Sequence, residues 1–376
     1  MKIYWSRAGF VRSLAALTGL LATLAVQAQT VATDPVGATT LTLKGGSDTH
    51  ISLPFHRPVA LETQVQSIAG NIITVPASAN LSVSQFVYNS STQTNTYYVQ
   101  FLTGNKEGMY YTVTANGPAN ITVNNNGDTT LDTGVAVGDT LRVIPYWTLN
   151  TLFPAGQSLY PGGNFNTSTQ SLVLTLPVST PGINLSAAGV YMYYNGTNFG
   201  GAGWRAAGNV TTLLPDVTLA PDSFLVVRQP VSAADTQFTL VGSVPMSQQA
   251  VILNTLQNGT GQDNPVSLPI PVAVSFGNSG LANVIAHSNN FNPSDLVLLF
   301  DPTIVAQNKS ASASYFYYND PNNLFGGAGW RKLGDPTTVR NNDILANPGQ
   351  GFIIRLGARS TPTTLIWNYL PDYLSN

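Results

Sequence analysis

The sequence predicts an all-β protein made of two duplicated sandwich-like halves, with a small β-barrel of the SH3 or OB kind inserted in the first. Three observations carry this reading. Helical periodicity is almost absent beyond the N-terminal segment, whereas short β-branched and aromatic runs bounded by turn residues recur throughout. One segment occurs twice, as YMYYNGTNFGGAGWRAAG from Tyr191 and as YFYYNDPNNLFGGAGWRKLG from Tyr315. The matching segments upstream are unequally spaced, so the first copy must carry extra chain.

Residues 1–28 read as a signal peptide. Lys2, Arg7 and Arg12 form a positive flank, and residues 14–26 an uncharged apolar run too short for a permanent anchor. Small side chains at Val26 and Ala28 place cleavage after Ala28, so the mature chain is expected to begin at Gln29 and to be exported.

The first β unit is expected to take residues 29–61 and 146–245. Residues 40–44 alternate polar and apolar, with Leu41 and Leu43 on one face. Residues 97–103, 108–115 and 140–144 read as further strands. Asn-Gly pairs at Asn116, Asn126, Asn195 and Asn258 suit tight turns that need positive φ. Residues 224–227 and 352–354 are apolar without alternation, as expected of strands buried on both faces.

The repeat extends past its core. LAPDSFLVVR ending at Arg228 parallels LANPGQGFIIR ending at Arg355, and TLVGSVP from Thr239 parallels TLIWNYLP from Thr364. Upstream, residues 172–177 parallel 296–302, and SLPFHRPVAL from Ser52 parallels SLPIPVAVSF from Ser267. Ser52 lies 139 residues before Tyr191, but Ser267 only 48 before Tyr315. The surplus is placed at residues 62–145, the expected barrel, and the second β unit takes residues 246–376.

Composition narrows the chemistry. Beyond the leader, twelve basic residues face seventeen acidic ones, a net charge of −5 without the basic patch that nucleic acid requires. Glu occurs only at Glu62 and Glu107, so solubility rests on Asn, Thr, Ser and Gln. With no cysteine, neither disulfides nor thiolate metal sites enter the account.

Histidine occurs at His50, His56 and His287 only. Asp48, His50 and His56 have the even spacing of one strand face, but Pro54 interrupts that strand and no firm further ligand is evident, so no metal is assigned. Asn124, Asn125, Asn126 and Asp128 around Gly127 lack the later bidentate Glu of a helix-loop-helix calcium site and read as a hairpin turn. Neither a Gly-x-Ser-x-Gly elbow nor a phosphate loop is present, no catalytic residue is selected, and no cofactor is implied.

The twice-occurring FGGAGWR is the sharpest signal. Its glycines allow close backbone approach. Trp204 and Trp330 could then stand as platforms for sugar rings, with Arg205 and Arg331 donating hydrogen bonds. The competing reading makes each Trp the anchor of its own core, covered by the Arg.

TDPVGATTLTL from Thr33, SDTHISLPFHRP from Ser47, GNKEGMYYTV from Gly104, IPYWTLNTLFP from Ile144 and the two YxYYN…GGAGWR segments resemble a family of exported bacterial proteins that occurs as several paralogues per genome. The resemblance spans nearly the whole mature chain. It implies export and a shared fold, and brings no catalytic residue. The resulting expectation is an exported surface or periplasmic binding or scaffolding protein, with polysaccharide as the leading partner. A structural or adhesive envelope component is the alternative, and a glycan-active enzyme comes third.

Overall fold

The protein is described by a computed structural model over residues 34–177, 180–256 and 261–375. The leader expected at residues 1–28 lies outside these residues. Short strands dominate, and the few helical stretches are single turns, so the all-β expectation holds.

Two five-stranded antiparallel sheets form the body. In the first the order is Asp48–Ile51, Leu225–Arg228, Leu172–Thr175, Gly189–Tyr194, Gly203–Ala206. In the second it is Gln262–Val266, Phe352–Leu356, Leu296–Leu299, Ala313–Tyr318, Gly329–Lys332. Sequence-matched strands therefore occupy the same places, down to register: Tyr193 stands opposite Trp204, and Tyr317 opposite Trp330.

A two-stranded ribbon closes each sheet into a sandwich-like half. Val36–Leu43 pairs with Thr236–Ser243 over the first sheet, and Gln249–Asn254 with Thr364–Tyr369 over the second. Thr40 and Thr239 face each other across the first ribbon and their hydroxyls bond at 2.9 Å, while Leu43, Phe238 and Leu240 turn inward onto Val173 and Val227. The second ribbon buries Val251, Leu253 and Trp367 against Val297 and Ile354.

Apolar runs without alternation have their explanation here. Leu225 and Val227 face the core of the first half. Phe224 and Val226 point the other way, into a cleft they share with Leu298 and Ile353 of the second half.

The chain between the matched segments of the first half folds as one seven-stranded antiparallel sheet, running from Leu61–Gln64 to Thr140–Pro145 with its own buried core. No barrel is closed. Leu61–Gln64 and Ser67–Ala69 occupy opposite ends of the strand order although only two residues separate them in the chain. Val65 continues the pairing toward Asp139 and Gln66 the pairing toward Thr74, so one stretch of chain serves both ends without those ends bonding to each other.

This sheet is docked on the body. Gly108, at φ +82°, lies against the backbone of Gln249 and Ala250, where a Cβ would come within 2.7 Å of the Ala250 nitrogen. Beside it a small cavity of about 30 Å³ is lined by Tyr98, Tyr110, Tyr146, Gln249 and Asp222. The Tyr110 hydroxyl donates to Asp222 at 2.7 Å, and burial raises the Asp222 carboxyl above the usual carboxylate range.

The two halves meet through exchanged loops. Asp48 at the edge of the first sheet forms a two-pronged ion pair with Arg228 and receives the backbone N–H of Asn308 from the second half. Asp263 pairs in the same way with Arg355 and receives the N–H of Asn184 from the first half. Arg228 also donates to Asn308, and Arg355 to Asn184. Asn184 and Asn308 both adopt positive φ, 54° and 53°.

Candidate functional site

The repeated motif builds the candidate site from its arginine outward. Gly200 and Gly201, at φ +85° and +89°, turn the chain so that carbonyls point inward, and Gly326 and Gly327 do the same at +81° and +89°. Arg205 donates to the carbonyls of Phe199, Gly201 and Trp204 at 2.9, 2.7 and 3.2 Å. Arg331 donates to those of Phe325, Gly327 and Trp330 at 3.0, 2.6 and 3.2 Å. Both guanidinium groups are fully buried. No carboxylate lies within ion-pair distance of either one among the described residues, so carbonyl dipoles and the faces of Tyr194 and Tyr318, 5.6 and 5.8 Å away, carry the compensation.

These contacts correct the platform expectation. Trp204 is 3% exposed and Trp330 1%, each inside the core of its own half. Trp204 packs on Phe153 and Tyr193, and Trp330 on Phe276 and Tyr317. A stacking platform needs an open face, which neither ring has. Arg205 and Arg331 are likewise committed to backbone carbonyls, so these four residues form no surface for a sugar.

What the clasp presents outward is the Phe at the head of the motif. Phe199 is 52% exposed and lies 5.3 Å from Phe165, which stacks at 4.8 Å on Tyr194. Phe325 lies 5.3 Å from Phe291, which stacks at 4.9 Å on Tyr318. Each half thus ends in an arginine, a tyrosine and two phenylalanines in successive tilted or edge-on contact, the outermost ring being Phe199 in the first half and Phe291 in the second, where Phe325 is half-buried.

Asparagines frame both aromatic pairs. Asn164 accepts from the Asn166 N–H at 3.0 Å, and Asn290 from the Asn292 N–H at 2.8 Å, so Phe165 and Phe291 ride on matching turns. The neighbouring strands are held alike: Gly162 bonds Tyr193 and Asn195, and Ser288 bonds Tyr317 and Asn319. At the first site Gly196 follows the matched Tyr-Tyr-Asn. The second has Asp320, whose carboxylate accepts the N–H groups of Leu324, Phe325 and Gly327. Burial alone would raise its pKa, but these donors and Arg331 hold it below the usual carboxylate value.

Sequence reading passed over these phenylalanines although a signal was available. Asn-Phe-Asn occurs at residues 164–166 and again at 290–292, upstream of each copy of the motif.

The other polar clusters are engaged elsewhere. Asp48 is held by Arg228, the His56 ring bonds the Arg57 carbonyl, and His50 lies flat on Phe300 at 4.1 Å, so the three do not assemble a ligand set. Asp128 is bonded by Lys106 and Tyr111 at 2.6 Å each, and these contacts outweigh burial and keep it well below the usual carboxylate range. No helix among the described residues is long and apolar enough to cross a membrane.

No family model matches this chain, and no match was found among curated proteins or among solved structures.

Proposed function

We propose that this is an exported β-rich binding protein of the cell surface or periplasm that holds polysaccharide through two equivalent aromatic sites. In this reading the halves are copies of one β unit, and the seven-stranded insertion is a small barrel-like module left open at one seam. The observation that carries the proposal is a phenylalanine pair among asparagines at the same place in both halves, with one ring of each pair exposed, Phe199 in the first and Phe291 in the second. Sugars offer apolar C–H faces to aromatic rings and hydroxyls to amides and carboxylates, so rims of asparagine, joined by Asp320 at the second site, match them. Two weak sites on one rigid body gain avidity on a polymer that neither would hold alone.

A second reading, an adhesive or structural envelope component, draws on the second ribbon, where Ile252 and Ile366 face each other and are both exposed. The two readings separate in one experiment. Retention of the mature protein on cellulose, chitin and isolated peptidoglycan is measured beside Phe199→Ala, Phe325→Ala and the double variant. Each single change is expected to weaken retention by about ten-fold or more through lost avidity, and the double change to abolish it, with the melting temperature nearly unchanged in Phe199→Ala and modestly lowered in Phe325→Ala, whose ring is half-buried. Undiminished retention of the double variant, or no retention of the parent on any glycan, refutes the polysaccharide reading.

A further inference from the structure

The aromatic sites leave a large concavity of the body unused. Between the two five-stranded sheets lies an open cleft of about 550 Å³, within the range of small-molecule sites. Its floor is apolar, with Phe224, Val226, Leu298, Phe300 and Ile353 drawn from both sheets. Polar side chains share the walls, among them Asn184, Asn308, Ser310 and Ser314. Arg355 and Asp263 reach it, but their charges are spent on each other at 2.6 and 2.8 Å, just as Arg228 and Asp48 neutralise one another behind it.

Lys309 is different. It lines the cleft and is half-buried, yet it forms no ion pair among the described residues, and its ammonium reaches only the Asp301 carbonyl at a long 3.5 Å. The nearby carboxylates are already engaged, Asp48 by Arg228 and Asp301 by Thr303. His50 also lines the cleft, stacked on Phe300 and edge-on to Phe224 at 5.3 Å, with no hydrogen bond to its ring among the described residues.

We infer that this cleft binds one anionic amphiphile, its acyl or aromatic body on the apolar floor and its carboxylate or sulfonate on Lys309. Electrostatics agree with the geometry. Burial lowers the Lys309 ammonium below its ordinary pKa, and burial holds His50 down at about 4, so at neutral pH His50 is an uncharged donor and acceptor. A half-desolvated ammonium without a counter-ion is the group that gains most from an incoming anion.

The test uses two naphthalene probes of similar size on the mature protein: 8-anilinonaphthalene-1-sulfonate, which is anionic, and N-phenyl-1-naphthylamine, which is neutral. The sulfonate is expected to bind with a stoichiometry of one. Lys309→Met should weaken it by about ten-fold while leaving the neutral probe within about two-fold. Ser310→Trp, at an exposed rim position where folding is not at risk, should block both probes. Full sulfonate affinity in Lys309→Met overturns the assignment. So does sulfonate binding that survives Ser310→Trp, or that disappears in the Phe199→Ala/Phe325→Ala variant, since each places the probe elsewhere.

Discussion

In the second half the arginine clasp has a carboxylate beside it, and in the first it has none. Asp320 organises the turn over Arg331 through three backbone N–H groups, whereas the shorter first copy closes the same clasp over Arg205 without an acid. The donor distances are nonetheless nearly the same in both. Peptide carbonyls turned inward by paired glycines are therefore the common compensation for the buried cation, and Asp320 shapes a longer loop. The halves differ again where they meet other chain. At Asp222, which the second half replaces by Gly349, the first half gains the acid that receives Tyr110 of the insertion.

The strongest test of the equivalence is removal of the core anchors. Trp204→Ala and Trp330→Ala should each destabilise by about 3 to 5 kcal/mol, because a large buried ring leaves a cavity its neighbours cannot fill. Equal losses of urea midpoint in the two variants would support equivalent halves. A loss confined to one would break the comparison.

Next come the paired ions at the exchanged loops. Asp48→Asn and Asp263→Asn each leave a half-buried guanidinium without its partner, at an expected cost of about 1 to 3 kcal/mol. Since each aspartate also holds a loop of the opposite half, hydrogen exchange should accelerate at Asn308 in the first variant and at Asn184 in the second. Acceleration within the mutated half only would show that the loops are not the tie between them.

The smallest effect is a difference in pH dependence. Asp222 has a raised pKa in the folded protein, so the native state holds its proton more tightly than the unfolded chain does. Its contribution is fully present below the unfolded value, near about 4, and is lost as pH rises through the native one. Other carboxylates, Asp128 and Asp320 among them, are lowered and act in the opposite sense. The readout is therefore the difference between parent and Asp222→Asn in urea midpoint from acid to neutral pH. That difference, parent minus variant, should be largest in acid and fall as pH rises to neutral; an offset that does not change with pH would mean that Asp222 titrates alike in the folded and unfolded chain, and one that rises with pH would mean that the fold favours its ionised form.

Much of the fold was legible because its signals are local. Alternation at residues 40–44, turn glycines and a repeat with its Tyr, Gly, Trp and Arg spacing intact are properties of neighbouring residues, and strand geometry answers to them directly. The all-β class followed from them. Local patterns could not show whether the inserted strands close into a barrel, because closure depends on hydrogen bonds between strands far apart in the chain, and here the two end strands do not bond.

The same boundary runs through the candidate sites. Sequence alone marked FGGAGWR as important, but whether its Trp or its Phe reaches solvent depends on which face of one strand packs against another. Tertiary packing turned Trp204 and Trp330 inward onto Phe153 and Phe276 and left Phe199 outside. For the cleft beside Lys309 the only local trace was the apolar runs at residues 224–227 and 352–354, which mark strands covered on both faces but not what covers them, since its walls come from two sheets that residues 182–184 and 306–308 tie together by crossing to the opposite half. Composition and periodicity are set by covalent neighbours; exposure, and the charge state that follows from it, are set by desolvation, which only the assembled fold decides.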